Sequence, residues 1–263
     1  MSFRNPFVVS VAVALIAMAG ALYVGYARQG DPAALSGLVE TEHFEGDFAL
    51  EGFDPFSALG RELSAEAQAR LDALAIEADA DIAGLIANGF EAQRWSHSET
   101  WTALSSYRGR VAVVGAISTM TGGAHPNLTF ETGLYLETGE PFEASTLFSD
   151  FASAEPILKQ SLCEATVEEK TNRQGDAFIY DQALICDEAG RDLVWTSADL
   201  TFAASDAPPA FGGLIAYFEP YVLGPYSEGA YVAVIDQSVF FETLTDEGKS
   251  LFAGKAVRDA AWD

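Results

Sequence analysis

Residues 111–136 read VAVVGAISTMTGGAHPNLTFETGLYL, and the rest of the chain can be interpreted outward from this stretch. Residues 111–118 have the apolar, β-branched composition of a strand, and in residues 128–136 apolar and polar side chains alternate with the period of a half-buried strand. Between them, residues 122–127 combine two glycines, which allow positive φ, with a proline and an asparagine that are typical of turns. The pattern therefore predicts two strands joined by a turn.

Helical periodicity lies upstream of these strands. In residues 64–88 the apolar side chains recur at spacings of three and four, with Ser64 as a possible N-cap and Gly89 as a C-terminal stop. Residues 95–101 then alternate as a strand does, because Trp95, His97, Glu99 and Trp101 share one face. The sequence therefore predicts a long helix followed by a strand.

Shorter elements are expected downstream. Pro156 suits the first turn of a helix, and residues 178–186 and 193–195 flank an Asp-Glu-Ala-Gly turn that predicts a hairpin. Further strands are expected at 214–218 and 231–235, and a terminal helix at 238–252. The fold class that follows is α+β, with antiparallel sheets, a long N-terminal helix and further helices packed on the sheets.

The chain is strongly acidic, with 39 Asp and Glu residues against 14 Lys and Arg and a net charge of −25. Such a surface repels phosphate backbones and anionic headgroups, which excludes nucleic acid as an expected partner and restricts membrane contact to the N-terminal segment. It favours cationic partners, or else it serves only solubility.

An uncharged apolar run covers residues 7–26, between Arg4 and Arg28. At about 1.5 Å per residue a helix of this length can cross a bilayer, so we expect residues 1–27 to be a membrane anchor, with a cleaved signal peptide as the alternative. Residues 28–45 are expected to be a linker. We expect residues 46–263 to form the exported domain, in two parts of about 46–120 and 121–263. The domain is expected on the periplasmic or extracellular side of the membrane, or secreted if the N-terminus is cleaved.

Cys163 and Cys186 are the only cysteines. Because export places them in an oxidising compartment, we expect a disulfide between them. Two buried thiols that act as small hydrophobes are the alternative.

Catalytic signatures are missing from the sequence. The three histidines lie in separate segments, without the spacing of a zinc site, and there is no nucleophile elbow, phosphate-binding loop or reactive Cys-His pair. We therefore expect neither an enzyme, nor a bound metal, nor a cofactor.

Two loops hold the candidate ligand-binding residues. Gly123 and His125 belong to the 122–127 turn, and Tyr221 and Tyr226 lie in a Gly- and Pro-rich segment near the C-terminus. His125 can brace its turn by hydrogen bonding, and the two tyrosines either pack the fold or offer rigid contacts to a partner. We expect all four to contribute to binding if the two loops meet in space.

The same loops carry a family resemblance. Its motifs are Gly-Gly-Ala-His-Pro-Asn at 122–127, Thr138-Gly139, Leu147-Phe148, Phe218-Glu219-Pro220-Tyr221, Gly224-Pro225-Tyr226 and Gly229. In this order they resemble the extracellular domain of the RsiV anti-sigma factors and the non-catalytic N-terminal domain of the PdaC peptidoglycan deacetylases, over about residues 46–252. Residues 164–206 depart from that pattern, so ligand contacts there are not carried over.

The resemblance implies an α+β domain of the cell envelope, and in RsiV this domain binds lysozyme. We therefore expect an envelope binding protein that recognises lysozyme or another cationic component. A peptidoglycan- or carbohydrate-binding accessory protein and an envelope hydrolase remain the alternatives.

Overall fold

The computed structural model describes residues 35–174 and 186–258. Within them, two β-sheets pack against each other and helices cover the outer faces, which confirms the α+β class. The first sheet has the order β1-β2-β3-β4-β5 and the second β8-β7-β6-β9. The strands are β1 (Ser36–Glu40), β2 (Phe44–Glu51), β3 (Trp95–Tyr107), β4 (Arg110–Met120), β5 (Asn127–Leu136), β6 (Asp199–Ser205), β7 (Phe211–Phe218), β8 (Tyr231–Asp236) and β9 (Ala256–Val257).

Helix α1 (Ala58–Ala87) connects β2 to β3 and lies across the first sheet. Because α1 is a crossover connection, β2 and β3 pair in parallel, whereas the other neighbouring strands of both sheets pair antiparallel. The helix begins earlier than predicted, since the Ser57 hydroxyl caps it by accepting a hydrogen bond from the Gly60 amide at 2.9 Å. It ends as expected, with Gly89 at a φ of +80° just after the C-cap.

Helices α2 (Phe151–Gln174) and α3 (Glu188–Ser197) pack together, and α2 covers the second sheet at β8. The predicted disulfide between Cys163 and Cys186 is present, with a Cα–Cα distance of 5.8 Å, and it fastens α2 to the residue before the N-cap of α3. Pro156 lies in the second turn of α2, slightly later than predicted.

The contact between the two sheets has its own apolar cluster. Phe130 of β5 and Tyr217 of β7 meet there with a ring-centroid distance of 5.2 Å, beside Val114, Ile215 and Val232. Strand β5 begins just before Phe130 and β7 ends just after Tyr217. This packing therefore brings the turn before β5 and the loop after β7 to the same edge of the sandwich.

The segment predicted as a linker, residues 28–45, needs correction. Its described part contains β1 and the first residues of β2, and Val39 of β1 is buried against α1. The expected division near residue 120 falls between β4 and β5, which are neighbours in one sheet. The first sheet therefore extends to Leu136.

The hairpin predicted around residues 187–190 is wrong. The Asp187 side chain accepts a hydrogen bond from the Gly190 amide at 2.9 Å, so these residues form the N-cap and first turn of α3. Residues 193–195 are helical, and residues 178–185 of that prediction lie outside the described part of the chain.

The terminal helix predicted at 238–252 is also wrong. It is replaced by two 3-10 turns, Gln237–Val239 and Phe241–Thr243, and by the one-turn helix α4 (Asp246–Lys249). The chain breaks between these pieces because Phe240 and Leu244 turn inward and are buried in the core.

In residues 35–174 and 186–258 no helix has the length and apolar character that a membrane crossing requires. The anchor predicted at residues 7–26 lies outside this part of the chain.

Candidate functional site

His125 lies on the surface beside Tyr221 and Tyr226, although it is 96 residues from Tyr221 in the chain. The His125 and Tyr226 rings stack with centroids 3.7 Å apart and an interplanar angle of 18°. His125 Nε2 and the Tyr221 hydroxyl are 3.0 Å apart, and the two tyrosine rings lie at 5.5 Å. We call these three residues the aromatic cluster.

The turn that carries His125 is built from local constraints. Gly122 has a φ of +97°, a conformation that strains other residues, whereas Gly123 does not adopt positive φ. His125 Nδ1 lies 3.1 Å from the Pro126 carbonyl oxygen, and the Tyr226 hydroxyl donates a hydrogen bond to the same oxygen at 3.1 Å. Gly123 is exposed in this turn. A Cβ placed on it would meet the His125 carbonyl oxygen and none of the rings of the cluster.

The loop after β7 presents the tyrosines. Pro225 caps a 3-10 turn, Tyr226–Glu228, and so places Tyr226 against the histidine. Tyr221 has a φ of +72°, which is uncommon for a non-glycine residue and marks a conformation that its surroundings must hold in place. Tyr221 is 61% exposed, whereas His125 and Tyr226 are half-buried, so the cluster presents mainly the Tyr221 ring to the solvent.

Lys170 and Arg173 of α2 bind this loop. The Lys170 ammonium donates a hydrogen bond to the Leu223 carbonyl and lies 3.6 Å from the Glu228 carboxylate. Arg173 donates to the Ala230 carbonyl at 2.6 Å. These contacts hold the loop that carries the two tyrosines on α2.

A set of hydrogen-bonded polar side chains is buried between α1 and the first sheet, and it was not predicted from the sequence. The Glu99 carboxylate, which is fully buried, accepts hydrogen bonds from Trp101 Nε1 at 2.9 Å and from His97 Nε2 at 2.8 Å, and it pairs with Arg70 Nε at 3.1 Å. His97 Nδ1 lies 2.8 Å from the Thr119 hydroxyl. We call these residues the Glu99 network.

The side chains of the Glu99 network bond one another and are enclosed. Both ring nitrogens of His97 have partners, and the residue is only 4% exposed. An ionised carboxylate can only accept, so His97 Nε2 is the donor of its bond to Glu99. The enclosed His-Glu pair thus links β3 to β4 through Thr119 and to α1 through Arg70.

At the outer side of this network, several carboxylates gather around Arg70. Burial and the charges of Glu62 and Glu131 raise the pKa of Glu66 above its ordinary value. Burial lowers the pKa of Arg70, but its hydrogen bond to Glu131 and the nearby carboxylates outweigh that effect and leave the pKa raised. The Arg70 guanidinium thus pairs with Glu99 and Glu131 and lies close to Glu66.

A cavity of about 110 Å³ lies between β5 and β6, apart from the aromatic cluster. Its walls are mainly apolar, and the hydroxyls of Thr132 and Thr201 are already bonded to the carbonyls of Leu200 and Gly133. In residues 35–174 and 186–258 no group of three or more His, Cys, Asp or Glu side chains is arranged to hold a metal ion.

These features describe an α+β domain with an aromatic cluster on its surface. Two solved structures are similar to it: a DUF3298 family protein of Pseudomonas aeruginosa PAO1, at 14% identity and a TM-score of 0.46, covering 84% of this chain and 94% of that one, and a DUF3298 family member of Bacteroides fragilis, at 14% identity and a TM-score of 0.42, covering 79% of this chain and 87% of that one. At such identity a shared ligand does not follow.

No family model matches the chain, and no curated protein matches it. The resemblance to the RsiV and PdaC domains therefore stays a prediction.

Proposed function

We propose that this chain is an exported binding protein of the cell envelope that recognises a cationic protein through His125, Tyr221 and Tyr226. The observation that carries the proposal is the convergence of these three side chains, from two distant loops, into one surface cluster in which His125 stacks on Tyr226 and Tyr221 is exposed. Rings held this way lose little freedom on binding, and tyrosines at such positions often contribute most of the affinity at interfaces.

The charge of the chain selects the partner. A net charge of −25 attracts basic proteins and speeds their encounter, but screening limits its reach to about 8 Å at physiological ionic strength. Specific binding needs close contacts as well, and aromatic faces supply them for Lys and Arg through cation–π interactions. Lysozyme is the basic protein that the RsiV resemblance suggests as a probe.

The envelope location is part of the proposal and has two supports. Residues 7–26 have the length and apolar composition of an anchor or signal segment. The disulfide between Cys163 and Cys186 is of the kind that forms and persists in oxidising compartments.

Surface plasmon resonance with the full chain and lysozyme tests the proposal. Tyr226→Ala removes both the stack on His125 and the bond to Pro126, and we expect it to raise the dissociation rate by about tenfold. Tyr226→Phe keeps the stack and should lose much less. Moderate salt should mainly slow association.

The matched control is Phe56→Ala, which removes an aromatic side chain that is 74% exposed elsewhere on the surface. The proposal fails if lysozyme binds no better than a basic protein of similar size, or if Phe56→Ala weakens binding as much as Tyr226→Ala. Salt-resistant retention on insoluble peptidoglycan that Tyr221→Ala abolishes would instead assign the cluster to a carbohydrate ligand.

A further inference from the structure

The cavity between β5 and β6 lies where the edges of the two sheets meet. β5 is the last strand of the first sheet, and β6 of the second sheet packs against it. Two threonines bridge the strands: the Thr132 hydroxyl donates to the Leu200 carbonyl at 3.0 Å, and the Thr201 hydroxyl to the Gly133 carbonyl at 2.8 Å. Because side chains make these bonds, the strands lie farther apart than the about 4.8 Å of a main-chain ladder, which leaves space between the sheets.

The interior of the cavity is apolar, and its walls are held in place. Phe202 and Leu214 form the buried part of the lining, at 2% and 4% exposed. Phe142 forms another part; its amide donates to the Leu134 carbonyl at 2.7 Å, and the Arg110 guanidinium lies 4.8 Å from its ring centroid. Since both threonine hydroxyls of the lining are already bonded to carbonyls, a water molecule inside finds few partners, and an apolar group gains by taking its place.

The volume of the cavity limits what can enter. An apolar cavity of about 150 Å³ in another protein holds one molecule of benzene. At about 110 Å³, the present cavity has room for most of a single ring, or for a branched alkyl group of similar size, with the remainder at the opening. The lining residues Pro141 and Glu143 are exposed, so the cavity opens on their side and a ligand can enter there.

The charge at the opening selects the ligand. Glu143 carries the one carboxylate of the lining, and among residues 35–174 and 186–258 it has no salt-bridge partner. The positive charge of Arg110, beside the Phe142 ring, is paired with Glu247. An ammonium group at the opening therefore meets an unpaired carboxylate, whereas an anionic ligand is repelled by Glu143 and by the net charge of −25.

We propose that this cavity binds a small amine that carries a single apolar ring or a branched alkyl group. The apolar group lies against Phe142, Phe202 and Leu214, and the ammonium group lies at the opening beside the Glu143 carboxylate. The site shares no residue with the aromatic cluster, and its ligand is a small molecule. The proposal therefore goes beyond the function proposed above and can fail independently of it.

Fluorine NMR of para-fluorobenzylamine titrated into the full chain at physiological salt tests the proposal, with the neutral para-fluorobenzyl alcohol as the comparison. We expect the amine to bind saturably and about fivefold tighter than the alcohol, the ratio that one exposed ion pair supplies. Glu143→Gln should bring the two affinities together. The matched control is Glu140→Gln, which removes an exposed carboxylate outside the lining and should leave the ratio unchanged.

The apolar part of the site is tested by changing the volume of the cavity. Ala144→Leu adds a larger side chain to the lining and should weaken the binding of both ligands by at least about tenfold. Phe142→Ala enlarges the cavity and should admit naphthylmethylamine at least about tenfold more tightly than the parent does, a gain that decides the matter even if Ala144→Leu does not fold.

Three results overturn the proposal. The first is an amine signal that does not saturate, and the second is an amine preference that Glu143→Gln leaves intact or that Glu140→Gln removes equally. The third is a loss of amine binding with Tyr221→Ala, which would place the amine on the aromatic cluster through cation–π contact.

Discussion

The substitution Glu99→Gln tests whether the buried Glu99 network is structural. Three donors, from Trp101, His97 and Arg70, converge on this carboxylate, which has no exposure to solvent. An amide keeps one acceptor oxygen and turns an NH₂ group toward donors that then lack a partner. Breaking a buried pair costs about 3–5 kcal/mol, and the oxygen that glutamine retains places the expected loss near the lower end, at about 3 kcal/mol.

Urea unfolding followed by tryptophan fluorescence measures this loss, and thermal unfolding should show a fall in Tm of roughly 6–12 °C. Glu131→Gln is the matched control, because Glu131 also binds Arg70 but its side chain is 49% exposed, so its loss should stay below about 1 kcal/mol. If the two variants lose the same free energy of unfolding, the network does not stabilise the fold as argued. A stable Glu99→Gln variant that had lost a hydrolytic activity of the parent would make the pair catalytic.

Two further predictions concern stability. Replacing Cys163 and Cys186 with serine releases a loop closed over a sequence separation of 23, and the free energy of unfolding should fall by about 3 kcal/mol in denaturant, whereas reducing agent should destabilise the parent but not the variant. The pKa of Glu66 is raised in the folded state, so its ionisation disfavours folding and stability falls as pH rises from the ordinary pKa of a glutamate through the raised one. Glu66→Gln should therefore raise Tm at neutral pH, and this gain should vanish in acid below the ordinary pKa. A gain that is equal at all pH values would contradict this.

The sequence predicted correctly those elements whose apolar residues recur with a regular period, because such a period assigns one side of the element to the core. The alternation in residues 128–136 and the helical spacing in 64–88 correspond to β5 and α1. The hairpin prediction around residues 187–190 failed because an Asp followed three residues later by Gly is compatible with both a turn and a helix N-cap. Only tertiary contacts decide between the two. Here Val194 is buried and the bridge at Cys186 holds the N-terminus of the helix, so the helix forms.

The aromatic cluster was predicted only as a possibility, because no sequence pattern tells whether two distant loops meet. Their meeting depends on the sheet-to-sheet contact of Phe130 and Tyr217. The Glu99 network did leave a signal, since His97 and Glu99 alternate in register with Trp95 and Trp101 and so belong to the buried face of β3. Polar residues on an apolar face indicate partners within the core, although the sequence could not supply Arg70 or Thr119 as those partners.

The contrast between His97 and His125 bears on what the chain can do. Both histidines have neighbours at both ring nitrogens, but His97 is enclosed with its carboxylate while His125 stacks on Tyr226 at the surface. A histidine that exchanges a proton with a bound molecule must be within reach of it; His97 is enclosed, whereas His125 lies at the surface beside the hydroxyl of Tyr221 and the ring of Tyr226. The surface histidine is therefore the one that the partner proposed for the aromatic cluster would contact.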